Sequence, residues 1–124
     1  MKIDIRRWLG MEAEELEPRQ SEALQEFISN LDILNALADE KRQRLIILLG
    51  SRYQRELTVS ELVDRMSLSQ PAVSHHLKVL KDVGLIDFKQ TGLKRFYFLT
   101  PDKTLNRLEH LIKMIREGEK LKED

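Results

Sequence analysis

Ser69-Gln70-Pro71-Ala72-Val73-Ser74-His75-His76-Leu77-Lys78-Val79-Leu80 decides how the rest of the chain is read. Ser69 is a good N-cap, and Pro71 is tolerated in a first turn because the first N–H groups of a helix have no partner within it. The segment therefore predicts a helix that begins after Ser69 and ends at Gly84. At about 100° per residue, Val73, Leu77, Leu80 and Gly84 fall on one side with His76 at the edge of that stripe, which marks the core-facing side. The other side carries Pro71, Ser74, His75, Lys78 and Asp82, with Gln70 near the N-terminal end. Val79 is its one apolar residue, suited to a wing contact or to a thymine methyl. Small, hydrogen-bonding and cationic side chains of this kind match base edges and phosphates: Gln pairs with adenine, Ser serves several bases, and Lys reaches guanine or phosphate.

The elements on either side supply the setting. Upstream, Ser67-Leu68-Ser69 reads as a tight turn, and Thr58-Val59-Ser60-Glu61 has the capping-box pattern that opens a short helix to about Met66. Asp39 caps a helix through Arg44 to Leu49 that stops near Gly50-Ser51, and its apolar run Leu45-Ile46-Ile47-Leu48-Leu49 predicts deep burial. Before it, Leu24, Phe27, Ile28, Leu31, Leu34, Leu37 and Ala38 recur at three and four residues, which predicts one amphipathic helix from Ser21. Downstream, residues 85–89 and 95–99 are short strands around the turn-prone 90–94, and Pro101 opens a last helix with Leu105, Leu108, Leu111, Ile112 and Ile115 on one side. The expected fold is mainly α with a small β-hairpin wing, in the order α-α-α-α-β-β-α: a winged helix-turn-helix, whose later helix enters a major groove.

Composition bounds the alternatives. The 124 residues have 41% hydrophobic and 34% charged content and no Cys, which describes one ordinary domain without disulfide, thiolate metal site or thiol switch. The longest apolar run is five residues, too short to cross a bilayer, and nothing resembles a secretory signal, so a cytoplasmic protein without a membrane partner is expected. The 21 basic residues balance 21 acidic ones, but unevenly. Residues 1–40 hold four bases against ten acids, residues 41–57 five bases against Glu56, and residues 68–98 five bases against Asp82 and Asp87. Such segregation makes one face attractive to phosphate in a molecule that is neutral overall. Domain organisation follows: residues 1–19 form an acidic arm, loosely structured or partly helical and tethered by Trp8 and Leu9. Residues 20–120 form the winged helix-turn-helix domain, and 121–124 a charged tail.

Several segments together resemble the ArsR/SmtB family of bacterial winged-helix transcription regulators. They are Leu34-Asn35-Ala36-Leu37-Ala38-Asp39-Glu40-Lys41-Arg42, Glu61-Leu62, the segment from Leu68 to Leu80, and Val83-Gly84-Leu85-Ile86 with its ribbon, covering roughly residues 31–115. The resemblance assigns DNA binding and dimerisation to residues 20–120. It implies a homodimeric repressor that reads an inverted-repeat operator, and an unidentified inducer that weakens binding. It makes the helix from Ser69 the recognition helix, with Ser69, Gln70, Pro71, Ser74, His75 and Lys78 at the DNA, and makes Lys89, Lys94 and Arg95 the wing contacts. It also implies that the terminal helices pair through Leu24, Phe27, Leu31, Leu108, Leu111, Ile112 and Ile115. Lys41, Arg42 and Arg44 read as helix-surface charge, with backbone phosphate as the alternative.

Metal and catalytic roles are not expected. Where relatives carry thiolates on the third helix, this chain has Glu56-Leu57-Thr58-Val59-Ser60-Glu61-Leu62, and hydroxyls are poor ligands for soft ions. Asp102 and His110 are the only reminders of the terminal-helix metal pattern, and one His is insufficient. His75 and His76 point about 100° apart and cannot easily share an ion. Without a converging nucleophile, base or phosphate-binding Gly loop, no enzyme and no cofactor is expected. The alternative function is a winged-helix protein-interaction module that leaves DNA aside.

Overall fold

The apolar positions between Ser21 and Ala38 form two helices rather than one. In the computed structural model, which describes Arg7, Gly10, residues 18–51 and residues 56–123, helix α1 is Pro18–Ser29 and α2 is Leu31–Ala38. The break lies at Asn30, where local side chains compete for the helix carbonyls. The Asn30 amide Nδ2 donates to the Glu26 carbonyl at 2.7 Å, and the Ser29 hydroxyl donates to the same oxygen at 2.9 Å. Residues 1–17 other than Arg7 and Gly10 lie outside the described residues. So do the tethers Trp8 and Leu9, most of the acidic arm, and the cations Arg52 and Arg55.

Asp39 caps α3 (Glu40–Leu49) by accepting from the Lys41 and Arg42 N–H groups at 2.8 and 3.1 Å. The deep burial expected of 45–49 holds for Leu45 and Leu49 alone, four residues apart on one helical face, while Ile47 is 70% exposed. A two-residue strand, β1 (Leu57–Thr58), follows and leads straight into α4 (Val59–Met66). The Glu61 N–H donates to the Thr58 hydroxyl at 3.2 Å, and that hydroxyl donates to the Glu61 carboxylate at 3.0 Å, so the box closes side chain to side chain. Ser67, in the left-handed region at φ 55°, ends α4.

Helix α5 (Gln70–Asp82) begins where Ser69 accepts from the Ala72 N–H at 3.3 Å, with Pro71 in its first turn. Removing that cap with Ser69→Ala is expected to lower folding stability by about 1 kcal/mol, read from the urea midpoint at unchanged slope. The helix stops short of Gly84, whose φ of 81° is a conformation that side chains with a Cβ rarely adopt. Strands β2 (Ile86–Thr91) and β3 (Lys94–Leu99) then form the expected hairpin, turning through Gly92 and Leu93. The sheet has three strands in the order β1-β3-β2, all antiparallel, with Phe88 opposite Tyr97 and Leu57 opposite Tyr97 on its other flank. After Pro101, α6 (Asp102–Glu123) runs through the charged C-terminal stretch.

The chain divides into two compact units. Residues 33–104 form one, in which α5 packs against α3, α4 and β2. Ile33, Leu45, Leu57, Leu62, Val73, Leu77, Leu80 and Ile86 are all at most 1% exposed and make its core. The other combines the described residues up to Asp32 with those from Leu105, and its described buried side chains are Ala23, Ile28, Asn30 and Leu111. Within it Arg107 donates to the Ser29 carbonyl at 2.9 Å and pairs with Asp32 at 3.5 Å, which fastens the end of α1 to α6. No described helix is long and apolar enough to cross a membrane.

Candidate nucleic-acid interface

The two sides of α5 separate as its periodicity predicts. Val73, His76, Leu77 and Leu80 are buried, whereas Gln70, Pro71, Ser74, His75, Lys78 and Asp82 are exposed and Val79 is half-buried. Lys78 pairs with Asp82 at 2.9 Å across one turn, both well exposed, an arrangement worth about 0.3–0.5 kcal/mol and easily exchanged for another anion.

At the N-terminal end of α5, Gln70 borders a cleft of about 280 Å³ with Thr58, Val59, Ser60, Leu93, Lys94 and Arg95. The starts of α4 and α5 both reach this cleft, so backbone N–H dipoles and two wing cations favour negative charge there. Arg95 shares the inner face of the ribbon with Phe88 and Tyr97 and lies over the Phe88 ring at 4.4 Å; Lys81 of α5 lies over the same ring at 5.5 Å. The Lys81 contact joins wing to helix and the Arg95 contact ties the two strands of the wing, while both charges stay exposed. Lys89 is placed differently. It lies on the opposite ribbon face, pairs with Glu56 at 3.4 Å and covers the Phe98 ring at 5.4 Å.

Arg42 is not the surface charge its position on a polar stretch suggested. Its Nε donates to the Ala36 carbonyl at 2.8 Å, its Nη2 to the Asn35 carbonyl at 3.1 Å, and its Nη1 lies 3.3 Å from His76 Nδ1. The guanidinium thus binds the C-terminal carbonyls of α2, which carry the negative end of the helix dipole, and reaches the buried side of α5. Arg has only donors, so a hydrogen bond between the two requires His76 Nδ1 as the acceptor, that is, a neutral ring with its proton on Nε2. Burial is the main reason that the His76 ring resists protonation below its ordinary 6.5; Asp39 opposes this, and Arg42, His75 and Lys41 add to it. The Asp39 carboxyl is held below its usual range, first by the Arg42 backbone N–H.

Residues 39–87 match the model for bacterial regulatory proteins of the arsR family. The transcriptional repressor SmtB homolog of Synechocystis is 30% identical over 100 residues, 81% of this chain and 69% of that protein. The transcriptional activator HlyU of Vibrio cholerae is 34% identical over 79 residues, 64% of this chain and 70% of that protein. The chain belongs to the ArsR/SmtB family. Among solved structures, reduced HlyU from Vibrio cholerae matches with a TM-score of 0.57 at 31% identity, over 75% of this chain and 95% of that one. An ArsR-like regulator from Rhodococcus matches the fold with a TM-score of 0.63. The winged helix-turn-helix of ArsR/SmtB regulators is therefore the architecture here, with β1 as a third strand beside the wing.

Against the residues singled out in this ArsR/SmtB chain, the structure brings Gln70, Lys94 and Arg95 to one cleft and sets Ser74, His75 and Lys78 along one exposed helix face. Ser69 is occupied as the cap of α5. The sequence marks Thr58 as a cap but not as a cleft residue, because the cleft also needs the wing residues Lys94 and Arg95, and the Arg42–His76 contact carries no signature because its partners lie 34 residues apart. Of the terminal apolar positions, Phe27, Ile112 and Ile115 are exposed and Leu24, Leu31 and Leu108 half-buried. Leu111 is already buried within its own unit, where it holds that unit together. His110 lies 3.9 Å from Glu26, and among the described residues no three His, Asp or Glu side chains converge as metal ligands would.

Proposed function

We propose that this ArsR/SmtB-family chain is a homodimeric, sequence-specific repressor that acts in the cytoplasm and reads an inverted-repeat operator. The observation that carries the reading is the exposed face of α5. Gln70, Ser74, His75 and Lys78 stand outward on a helix whose other side is locked into the core by Val73, Leu77 and Leu80. A polar face held rigidly by a buried stripe suits a major groove. In this reading Gln70 and Ser74 contact base edges, and His75 and Lys78 extend the contact. Lys94 and Arg95 neutralise phosphate beside the cleft, and Lys89 engages DNA only by leaving Glu56. Residues 20–120 carry both DNA binding and self-association, the latter through Phe27, Ile112 and Ile115, with Leu24, Leu31 and Leu108 supporting. An unidentified inducer then acts by weakening operator binding. The names of relatives include both a repressor and an activator, so the direction of regulation is part of the proposal.

Selection of bound fragments from genomic DNA, followed by footprinting, tests it. The expected result is an inverted repeat with half-sites about 34 Å apart, bound by a dimer in sedimentation experiments, with affinity falling steeply as salt rises. A protein that protects no site, or whose association with DNA is indifferent to salt, would overturn the reading.

A further inference from the structure

We propose that Arg42 is a positioning residue for the recognition helix, and that its bond to His76 makes operator affinity proton-dependent, weakening in acid. The inference rests on the DNA-binding reading of α5. Arg42 is anchored independently of α5 by the Ala36 and Asn35 carbonyls at 2.8 and 3.1 Å, with Asp39 at 4.0 Å. Its remaining nitrogen meets His76 on the buried side of α5, next in sequence to His75 and two residues from Ser74 and Lys78. The contact thus joins the end of α2 and the start of α3 to the middle of the helix that presents the reading face.

Protonation of His76 Nδ1 removes the acceptor and sets two cations 3.3 Å apart. Arg42 keeps its carbonyl ligands, so α5 is the partner that must give way. The charged and titratable groups acting on the ring are Asp39 before α3, Arg42 and Lys41 on α3, and His75 on α5 itself. Those of α4 (Glu61, Asp64, Arg65) and of β2 (Asp87, Lys89) are exposed to solvent. The sign separates the two histidines. A proton on His76 disturbs the pose and weakens binding, whereas positive charge added on the exposed face, where His75 stands, favours phosphate. Folding stability follows the same direction: the unfolded chain takes up the proton more readily, so stability is full above 6.5 and declines as pH falls below it.

Operator affinity measured by fluorescence anisotropy at fixed ionic strength, between about pH 8 and about pH 5.5, tests the proposal in the full chain. Wild type is expected to lose about fivefold or more on acidification, beyond any loss of folded protein monitored by circular dichroism. His76→Asn, which keeps an acceptor near Nδ1 and cannot titrate, is expected to bind like wild type at pH 8 and to lose little in acid. His75→Asn is expected to retain the loss. Arg42→Lys, which keeps the charge without the three-way geometry, is expected to bind about fivefold more weakly already at pH 8. A wild-type profile that is flat or rises in acid overturns the proposal, and so does a His76→Asn protein with the wild-type profile. If His76→Asn does not fold, ring nitrogen shifts of wild-type His76 decide: an unprotonated Nδ1 at pH 8 whose protonation is shifted to lower pH by operator DNA is expected, and a protonated Nδ1 or no shift on DNA overturns it. Absence of any specific DNA binding at pH 8 refutes the underlying reading instead, while the Nδ1 state in the free protein still reports on the Arg42 bond.

Discussion

Leu77→Ala is expected to destabilise the protein by about 2–5 kcal/mol, the largest effect foreseen for any single substitution on α5. Leu77 is 1% exposed and sits between Val73 and Leu80 on the side of α5 that faces α3 and α4. Truncation there removes buried methyl groups and leaves a void that surrounding helices close only in part. Since small domains are stable by about 5–15 kcal/mol, the loss takes a large share of the total. Urea denaturation at constant slope measures it, and a change below about 1 kcal/mol would show that this stripe does not hold the helix. Operator affinity should fall with it even where the protein remains folded, because the outward residues are aimed only as firmly as the buried ones are packed.

Gln70→Ala tests the reading face itself. Gln70 is exposed at the first position of α5 and borders the cleft with Lys94 and Arg95, so its removal costs little folding energy. The expected result is a loss of about 1–3 kcal/mol of discrimination at particular base pairs, on the order of 5- to 150-fold, with other positions keeping their preference. Lys94→Ala, by contrast, should weaken all sequences alike and reduce the salt slope by about one. A panel of single-base operator variants distinguishes the two patterns. An unchanged ranking of sequences by Gln70→Ala would remove Gln70 from base contact.

Local chemistry explains which features were legible before the fold was known. Asp39, Thr58 and Ser69 act as caps in the structure because a short side-chain oxygen needs only the next two or three residues to find its N–H partner. The buried stripe of α5 and the hairpin around Gly92 are equally local, since each follows from spacing within one short stretch of sequence. The break at Asn30 was hidden because the apolar spacing continues through it, and the competing bonds to the Glu26 carbonyl are not a periodic signal. Strand β1 is two residues long and too short to show alternation. Ile47 belongs to a continuous apolar run, which carries no information about which face is buried. Long-range pairings were the least accessible: Lys89 with Glu56 and Arg42 with His76 bring together residues 33 and 34 positions apart.

The clasp between Lys78 and Asp82 pairs a positive with a negative charge on the exposed side of α5. In the proposed DNA complex, attraction at a distance then comes from Lys94 and Arg95 of the wing, and Lys78 contributes on close contact, where a phosphate takes the place of the carboxylate. Under the proposed reading, such a head is expected to leave non-matching stretches of DNA quickly and to stay on the sequence that its neutral hydrogen-bonding groups recognise.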